Sequence, residues 1–279
     1  MKEELNTFIE FSLQEDVREG DHTSLACIPP TASGKAQLLV KENGILAGME
    51  VALAIFEKVN PDIQFFPLMH DGESMTVGDV AFIVEGPSSS ILTAERLVLN
   101  CMQRMSGIAT KTQHIVKLLE GTKAQVLDTR KTTPGIRLLE KWAVKIGGGV
   151  NHRFGLYDMM MIKDNHIDFA GGIESAIAKA INYQKDKGIN IPIEVEARNL
   201  EEVNEILRVG NIQRIMLDNF SYEDTRVAVE QIGGRFETEA SGGITEETIR
   251  EHALCGVDFI SVGALTHSVN SLDLSLKAF

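Results

Sequence analysis

The sequence predicts an α/β fold whose larger part is a parallel α/β barrel or a doubly wound sheet. Three observations predict it. From about residue 124 onward, short apolar runs alternate with helical stretches. The last three runs start roughly 22 residues apart, enough for a strand, a turn and a helix in each unit. Nearly every run stops at a polar, charged or glycine residue, and parallel α/β folds place their ligands at those carboxyl ends.

The first hundred residues read as mixed α and β. Leu5–Leu13 has apolar residues at helical spacing, and Lys35–Val40 and Val80–Val84 read as strands closed by turn residues. Glu50–Val59 reads as a helix ending before Asn60-Pro61. Thr93–Met105 reads as a helix capped by Thr93, with Arg96 one turn in. No change of composition marks a linker, so a boundary near residue 105 is soft.

The later strands are read at Ala124–Leu127, Met159–Ile162, Ile191–Val195, Arg214–Leu217, Phe236–Ala240 and Phe259–Val262. The helices are read at Ile136–Ile146, Ile173–Lys187, Leu200–Val209, Tyr222–Ile232 and Glu246–Cys255. The strand ends are then Asp128, Lys163, Glu196, Asp218, Ser241 and Gly263. One polar residue at a strand end is usually a turn former. Six in order, mixing a lysine with acids, point to one ring of chemistry.

Charge narrows the ligand. The chain carries a net −13, which argues against nucleic acid or an anionic membrane surface as partner. Residues 128–166 depart from this: seven Lys/Arg and four acids give them +3, against −16 for the rest. By itself such a run is more often a solvated face than a site. Placed among strand ends, it suggests a small anion. Cys27, Cys101 and Cys255 have no metal-site spacing and build no disulfide framework. The N-terminus lacks the basic and apolar regions of a leader, and no apolar run reaches about 18 residues, so a cytoplasmic protein is expected.

Four constellations could carry chemistry. Ser241-Gly242-Gly243-Ile244-Thr245 and the segment from Ser261 through Gly263 to His267 each follow a strand, and the first is read as opening a helix; such loops bind phosphate through backbone N–H groups. Asp128-Thr129-Arg130-Lys131-Thr132-Thr133-Pro134-Gly135 puts a guanidinium fork and an ammonium beside hydroxyls. Gly147-Gly148-Gly149-Val150-Asn151-His152-Arg153 is a loop presenting His152 and Arg153, and Ile162-Lys163-Asp164-Asn165-His166 sets Lys163 at a strand end. Taken singly, His152 or His166 is more often a structural histidine. Glu196 and Asp218 end neighbouring strands. Their carboxylates could hold Mg²⁺ carrying a polyphosphate, contact sugar hydroxyls, or stabilise a developing cation. There is no GxxxxGK[ST], no GxGxxG after a strand, no GxSxG and no HExxH.

These segments, with Thr93-Ala94-Glu95-Arg96, Ser106-Gly107-Ile108-Ala109-Thr110, Glu194-Val195-Glu196, Leu217-Asp218-Asn219-Phe220 and Ser261-Val262-Gly263-Ala264-Leu265-Thr266-His267-Ser268, resemble the quinolinate phosphoribosyltransferases nearly end to end. His22 departs from the pattern, standing where the family has an aliphatic residue. The resemblance implies an N-terminal α/β sandwich domain over 1–105, joined by the tail 268–279, and an incomplete α/β barrel over 106–267. It implies transfer of phosphoribose from phosphoribosyl pyrophosphate (PRPP) to quinolinate with loss of CO₂, in NAD biosynthesis, with Mg²⁺. Arg130, His152, Arg153 and Lys163 would meet the two quinolinate carboxylates, with Arg96 supplied by a second subunit of a homodimer or hexamer. Lys131 would lie near the ligand phosphate. Glu196 and Asp218 would face ribose and Mg²⁺, and Ser241, Gly242, Gly243, Gly263 and His267 would bind the 5′-phosphate. Competing readings are a relative acting on another aromatic acid and a phosphometabolite-binding protein without activity.

Overall fold

The structure is a computed structural model that describes residues 2–279. The elements run α1 (Lys2–Asp16), α2 (His22–Cys27), β1 (Ser33–Val40), β2 (Gly44–Ile45), α3 (Met49–Val59), β3 (Gln64–Pro67), β4 (Ser74–Met75), β5 (Val80–Pro87) and α4 (Ser88–Leu118). They continue with β6 (Gln125–Leu127), α5 (Arg137–Ile146), β7 (Met160–Ile162), α6 (Asp164–Ala170), α7 (Ile173–Lys187), β8 (Ile193–Ala197), α8 (Leu200–Val209), β9 (Arg214–Asp218) and α9 (Tyr222–Ile232). The chain ends with β10 (Glu237–Ser241), α10 (Ile249–Leu254), β11 (Phe259–Ser261), α11 (Ala264–His267) and β12 (Leu274–Ala278). They fall into two compact units.

The first unit comprises Met1–Gln113, Lys131–Gly148 and Ala264–Phe279. Its main sheet is antiparallel in the order β12-β1-β5-β3. Ala36, Leu38 and Val40 alternate inward along β1, so one face of the strand is buried and the register with β12 is fixed: Leu38 opposes Leu276 and Val40 opposes Leu274. Phe56, Phe65 and Phe82 form an aromatic cluster, the last two with ring centroids 4.6 Å apart.

The second unit comprises His114–Arg130 and Gly149–Gly263. Its sheet is parallel, in the order β6-β11-β10-β9-β8-β7, with no pairing between β6 and β7. All five residues of β8 are buried, as in a parallel strand covered on both faces. Two of the helices that follow these strands begin on a side-chain cap. Asn199 accepts from the Glu202 amide to start α8, and Ser221 accepts from the Asp224 amide to start α9.

The structure differs from the sequence reading in several places. The expected helix Thr93–Met105 is part of one 31-residue helix, α4. Thr93 is not its cap: its hydroxyl donates to the Ser89 carbonyl one turn earlier. The soft boundary near 105 therefore lies inside a helix, and Gly107 within it lets the Asn270 carbonyl oxygen approach where a β-carbon would stand. Residues 106–113, 131–148 and 264–267 were expected in the barrel and belong to the first unit. For 131–148 the anchor is Glu140, whose buried carboxylate accepts from Arg104 at 2.7 and 3.0 Å and from the Thr133 amide and hydroxyl. The helix expected from Glu246 begins only at Ile249. Thr245–Thr248 instead form a turn closed by the Thr248 hydroxyl on the Thr245 amide.

Candidate active site

Parallel pairing sets which side chains of the second unit share a layer. Glu196 is level with Met216, and Ser241 with Asp218. Glu194 and Glu196 lie two residues apart on β8 and therefore on one face, as do Glu239 and Ser241 on β10. Pairing alone sets Glu239 level with Met216 and Glu196; it is the side-chain contacts that group Glu239 with Glu194 beneath the carboxyl-end groups, giving an upper layer and a second layer under it.

In the upper layer Lys163 donates to Glu196 Oε2 at 3.0 Å, with the lysine side chain 46% exposed and the glutamate almost wholly buried. The Lys163 backbone is pinned as well, since its amide donates to His166 Nδ1 at 2.9 Å. His166 thus serves as a helix cap for α6, in line with its more ordinary reading. Asp218 accepts from the Asn219 side chain at 2.8 Å. Asn219 is left-handed (φ 57°), and its amide donates to Ser241 O. Gly242 is forced here: φ is 98°, and a β-carbon would stand 2.9 Å from the Asn219 backbone nitrogen and closer still to its side chain. The Ser241-Gly242-Gly243 turn and the Asp218 strand end are therefore one piece of backbone. Gly243, also left-handed, has nothing within 4 Å of where its β-carbon would be, so it opens onto space.

Arg153 reaches this region by a different route. Val150 forms a single parallel bridge with Leu127, its amide donating to Val126 O and its carbonyl accepting from the Asp128 amide. The buried Asp128 carboxylate then accepts from the His152 amide at 2.8 Å. Arg153 follows, its guanidinium donating to Met159 O at 3.2 Å. Burial and the nearby Arg130 both disfavour its charge. Two guanidiniums held within mutual repulsion make a place suited to an anion.

His152 differs from its expected role. Its ring is buried and turned into the layer beneath. Nδ1 accepts from the Arg153 amide at 2.6 Å, and Nε2 lies 2.9 Å from Glu194 Oε2 and 3.4 Å from Glu239 Oε2. Nδ1 is engaged by the backbone and Nε2 faces the two acids, so the ring is turned inward from the strand ends. Arg214 completes the layer, donating to Glu239 at 3.0 Å and to Glu237 at 2.9 Å, and stacking on Phe259 at 4.1 Å. Burial, aided by the charge of Glu239, pushes the Glu194 carboxyl up to about 7. Burial also opposes ionisation of Glu239, but His152 and Arg214 outweigh it and hold that carboxyl below its ordinary value. Sequence reasoning missed Glu194, Glu239 and Arg214, which lie within runs read as apolar strands. The available signal was acids at alternate positions, 194 and 196 and again 237 and 239, on a period-two face.

The second unit therefore brings Arg153, Lys163, Glu196, Asp218, Ser241, Gly242 and Gly243 to its strand ends, with Arg130 near enough to Arg153 to bear on its charge. Gly263 follows β11 directly. Arg96, Lys131 and His267 belong to the first unit. There the Thr266 hydroxyl donates to Lys131 O, drawing the Lys131 segment to the residue before His267. Arg96 lines a cavity of about 260 Å³ with Glu15, Asp16, Asn100 and Arg104.

Two family models match: the quinolinate phosphoribosyl transferase N-terminal domain over residues 21–106 and the C-terminal domain over residues 108–277. The chain belongs to the quinolinate phosphoribosyltransferase family. It is 47% identical to the chloroplastic nicotinate-nucleotide pyrophosphorylase (carboxylating) of Arabidopsis thaliana, over 98% of this chain and 82% of the relative. It is 42% identical to the probable enzyme of that name from Bacillus subtilis, over 94% and 89%. Among solved structures, NadC from Streptococcus pyogenes superposes with a TM-score of 0.93 at 38% identity, covering 100% of this chain and 98% of that one. The nicotinate-nucleotide pyrophosphorylase of Francisella tularensis gives 0.92 at 40% identity, covering 100% and 97%.

Proposed function

We propose that this protein transfers phosphoribose from PRPP to quinolinate and releases CO₂, forming nicotinate mononucleotide and pyrophosphate in NAD biosynthesis. The observation that carries the reading is the upper layer: a cationic side, Arg130, Arg153 and Lys163, shares the strand ends with the acids Glu196 and Asp218. Quinolinate is a dianion, and the cationic side answers it. Departure of pyrophosphate leaves positive charge at ribose C1, which the two carboxylates would stabilise. The ring nitrogen is the nucleophile, so no covalent enzyme intermediate is needed. The alkylated ring then accepts the electron pair left when CO₂ departs. Ser241, Gly242, Gly243, Gly263 and His267 are assigned to the 5′-phosphate, and Lys131 to phosphate or pyrophosphate.

Mg²⁺ fits the acid side. Two carboxylates on neighbouring strands, completed by substrate oxygens, suit an ion bound through few protein ligands. Glu196 and Asp218 would hold it, and when bound it would offset the pyrophosphate charge. In the same reading Arg96 serves the site of a second subunit, so the working form is at least a homodimer, acting in the cytoplasm on small-molecule substrates. No helix among the described residues is long and apolar enough to cross a membrane.

The test is incubation with quinolinate, PRPP and Mg²⁺. Nicotinate mononucleotide and CO₂ in equal amounts are expected. Inactivity on quinolinate with turnover of another aromatic acid would overturn the substrate assignment, and tight PRPP binding without any turnover would overturn the enzymatic one. Mixing Arg96→Ala with Lys163→Ala subunits should restore one intact site per heterodimer. No recovery after proven subunit exchange would overturn the shared site.

A further inference from the structure

The layer beneath the strand ends holds five charged or ionisable groups where a barrel interior ordinarily packs branched apolar residues: His152, Glu194, Glu239, Arg214 and, at its outer edge, Glu237. Such clusters are weak sources of stability, because desolvation offsets most of the attraction. Their geometry here points to one purpose. Glu194 comes from β8 and Glu239 from β10, and their carboxylates and the His152 ring offer atoms within 4.8 Å of one another. Arg214, on the strand between, fixes Glu239. A metal ion is a poor occupant, since the Arg214 guanidinium already neutralises Glu239.

Two effects compete at the His152 ring. Burial disfavours a charged imidazole, and the two carboxylates favour it. Against them stands the Arg153 amide at Nδ1, because an imidazolium has no lone pair there to accept it. As arranged, the ring keeps its proton on Nε2, towards the acids, and its lone pair on Nδ1, towards Arg153. A turn of the ring would therefore move the Arg153 backbone. The backbone just before it is anchored by the Val150 bridge and by the Asp128 carboxylate on the His152 amide, so the ring and the Arg153 amide are set against a fixed point.

We propose that Glu194 and Glu239, braced by Arg214, are positioning residues: they lock the His152 ring in one tautomer and thereby aim the Arg153 guanidinium at a carboxylate of the dianionic substrate. The proposal rests on the assignment of quinolinate to the Arg153 side. In it His152 acts through Arg153 and the acids act through His152. The acids set affinity for the dicarboxylate and leave the phosphate side untouched.

The test uses the isosteric variants Glu194→Gln and Glu239→Gln in the full chain. Groups that orient a metal-binding side chain typically cost about 10–100-fold when replaced, and the same scale is expected for one that orients a guanidinium. The KM for quinolinate should rise by about tenfold or more, while the KM for PRPP stays within about twofold. A KM for quinolinate unchanged in both variants, or an equal rise in both KM values, would overturn the proposal. A second readout needs no turnover. Nitrogen NMR of ¹⁵N-histidine-labelled protein, with His152→Asn to assign the signal, should show the Nε2–H tautomer in the unsubstituted protein at neutral pH and its loss as a single form in Glu239→Gln. The same tautomer in both proteins, or an imidazolium signal in the unsubstituted one, would also overturn it. If the unsubstituted protein does not use quinolinate, the functional assignment fails, and the NMR result still decides whether the acids lock the ring.

Discussion

Glu194 and Glu196 stand two residues apart on one strand, pointing the same way, with different work. Glu196 is met by a lysine that is nearly half exposed, so the pair borders open space. Glu194 is sealed, its carboxyl pushed up to about 7 by burial, and it faces a histidine ring and another acid. The same contrast separates Asp218 and Ser241 from Arg214 and Glu239 on the next two strands. A step of two residues on β8 and β10, and of four on β9, moves a polar or charged side chain from the layer that meets ligand to the layer that supports it. Residue type does not assign the role; depth does.

The comparison can be broken from either side. Lys163→Ala removes a charge of the upper layer and should lower kcat/KM by about 10³-fold, the scale of a lost electrostatic contact to the reacting groups. Because Lys163 is nearly half exposed but its loss leaves the buried Glu196 carboxylate unpaired, the urea midpoint should fall modestly and by less than in Glu239→Ala, and an equal or larger loss would place Lys163 with the supporting layer. Glu239→Ala does the reverse. It leaves Arg214 with one half-exposed partner and should cost about 3 kcal/mol of folding stability by urea titration. A loss under about 1 kcal/mol would mean the lower layer is not tightly coupled.

Arg153→Lys should sharpen the picture at the boundary between layers. It keeps the charge but loses the planar fork, so affinity for quinolinate should fall by roughly tenfold, with PRPP unaffected. An unchanged KM for quinolinate would remove Arg153 from the dicarboxylate side. The smallest effect is a slope. Glu194 has its carboxyl raised from 4.5 to about 7, so the folded state holds a proton that the unfolded chain gives up. Its contribution is complete below pH 4.5 and is lost as pH rises through about 7. The Tm should therefore drift downward over that range, and Glu194→Gln should flatten the drift. Glu239, with its carboxyl lowered, works the opposite way: its contribution is present above pH 4.5 and fades only below it.

Much of this architecture was legible because it is periodic. The six strands of the parallel sheet follow from apolar runs, and Lys163, Glu196, Asp218 and Ser241 from where those runs stop. The rest failed for identifiable reasons. Thr93 looks like a cap, but α4 had already begun at Ser88, and a threonine inside a helix can return its hydroxyl to the preceding turn. Gly242-Gly243 suggests a helix start, but two left-handed residues in a row carry the chain into a turn before α10. The two-residue strands β2 and β4 are too short for any periodicity. The buried acids escaped because an acid in a strand reads as an interruption, and only the partner strands reveal that Glu194 and Glu239 face one histidine.

Val150 joins β6 through one bridge, whereas β8 and β9 share a register of four residue pairs. The His-Arg dipeptide that follows is held by that rung and by a few side-chain bonds, the Asp128 carboxylate on the His152 amide and the Arg153 guanidinium on Met159 O among them. Freeing the guanidinium would take that rung and these side-chain bonds while leaving the strands between β7 and β6 intact, a local opening less costly than unfolding the barrel. The aiming device and the barrel wall are built differently: the wall is tied by continuous ladders, the aim by individual side-chain bonds.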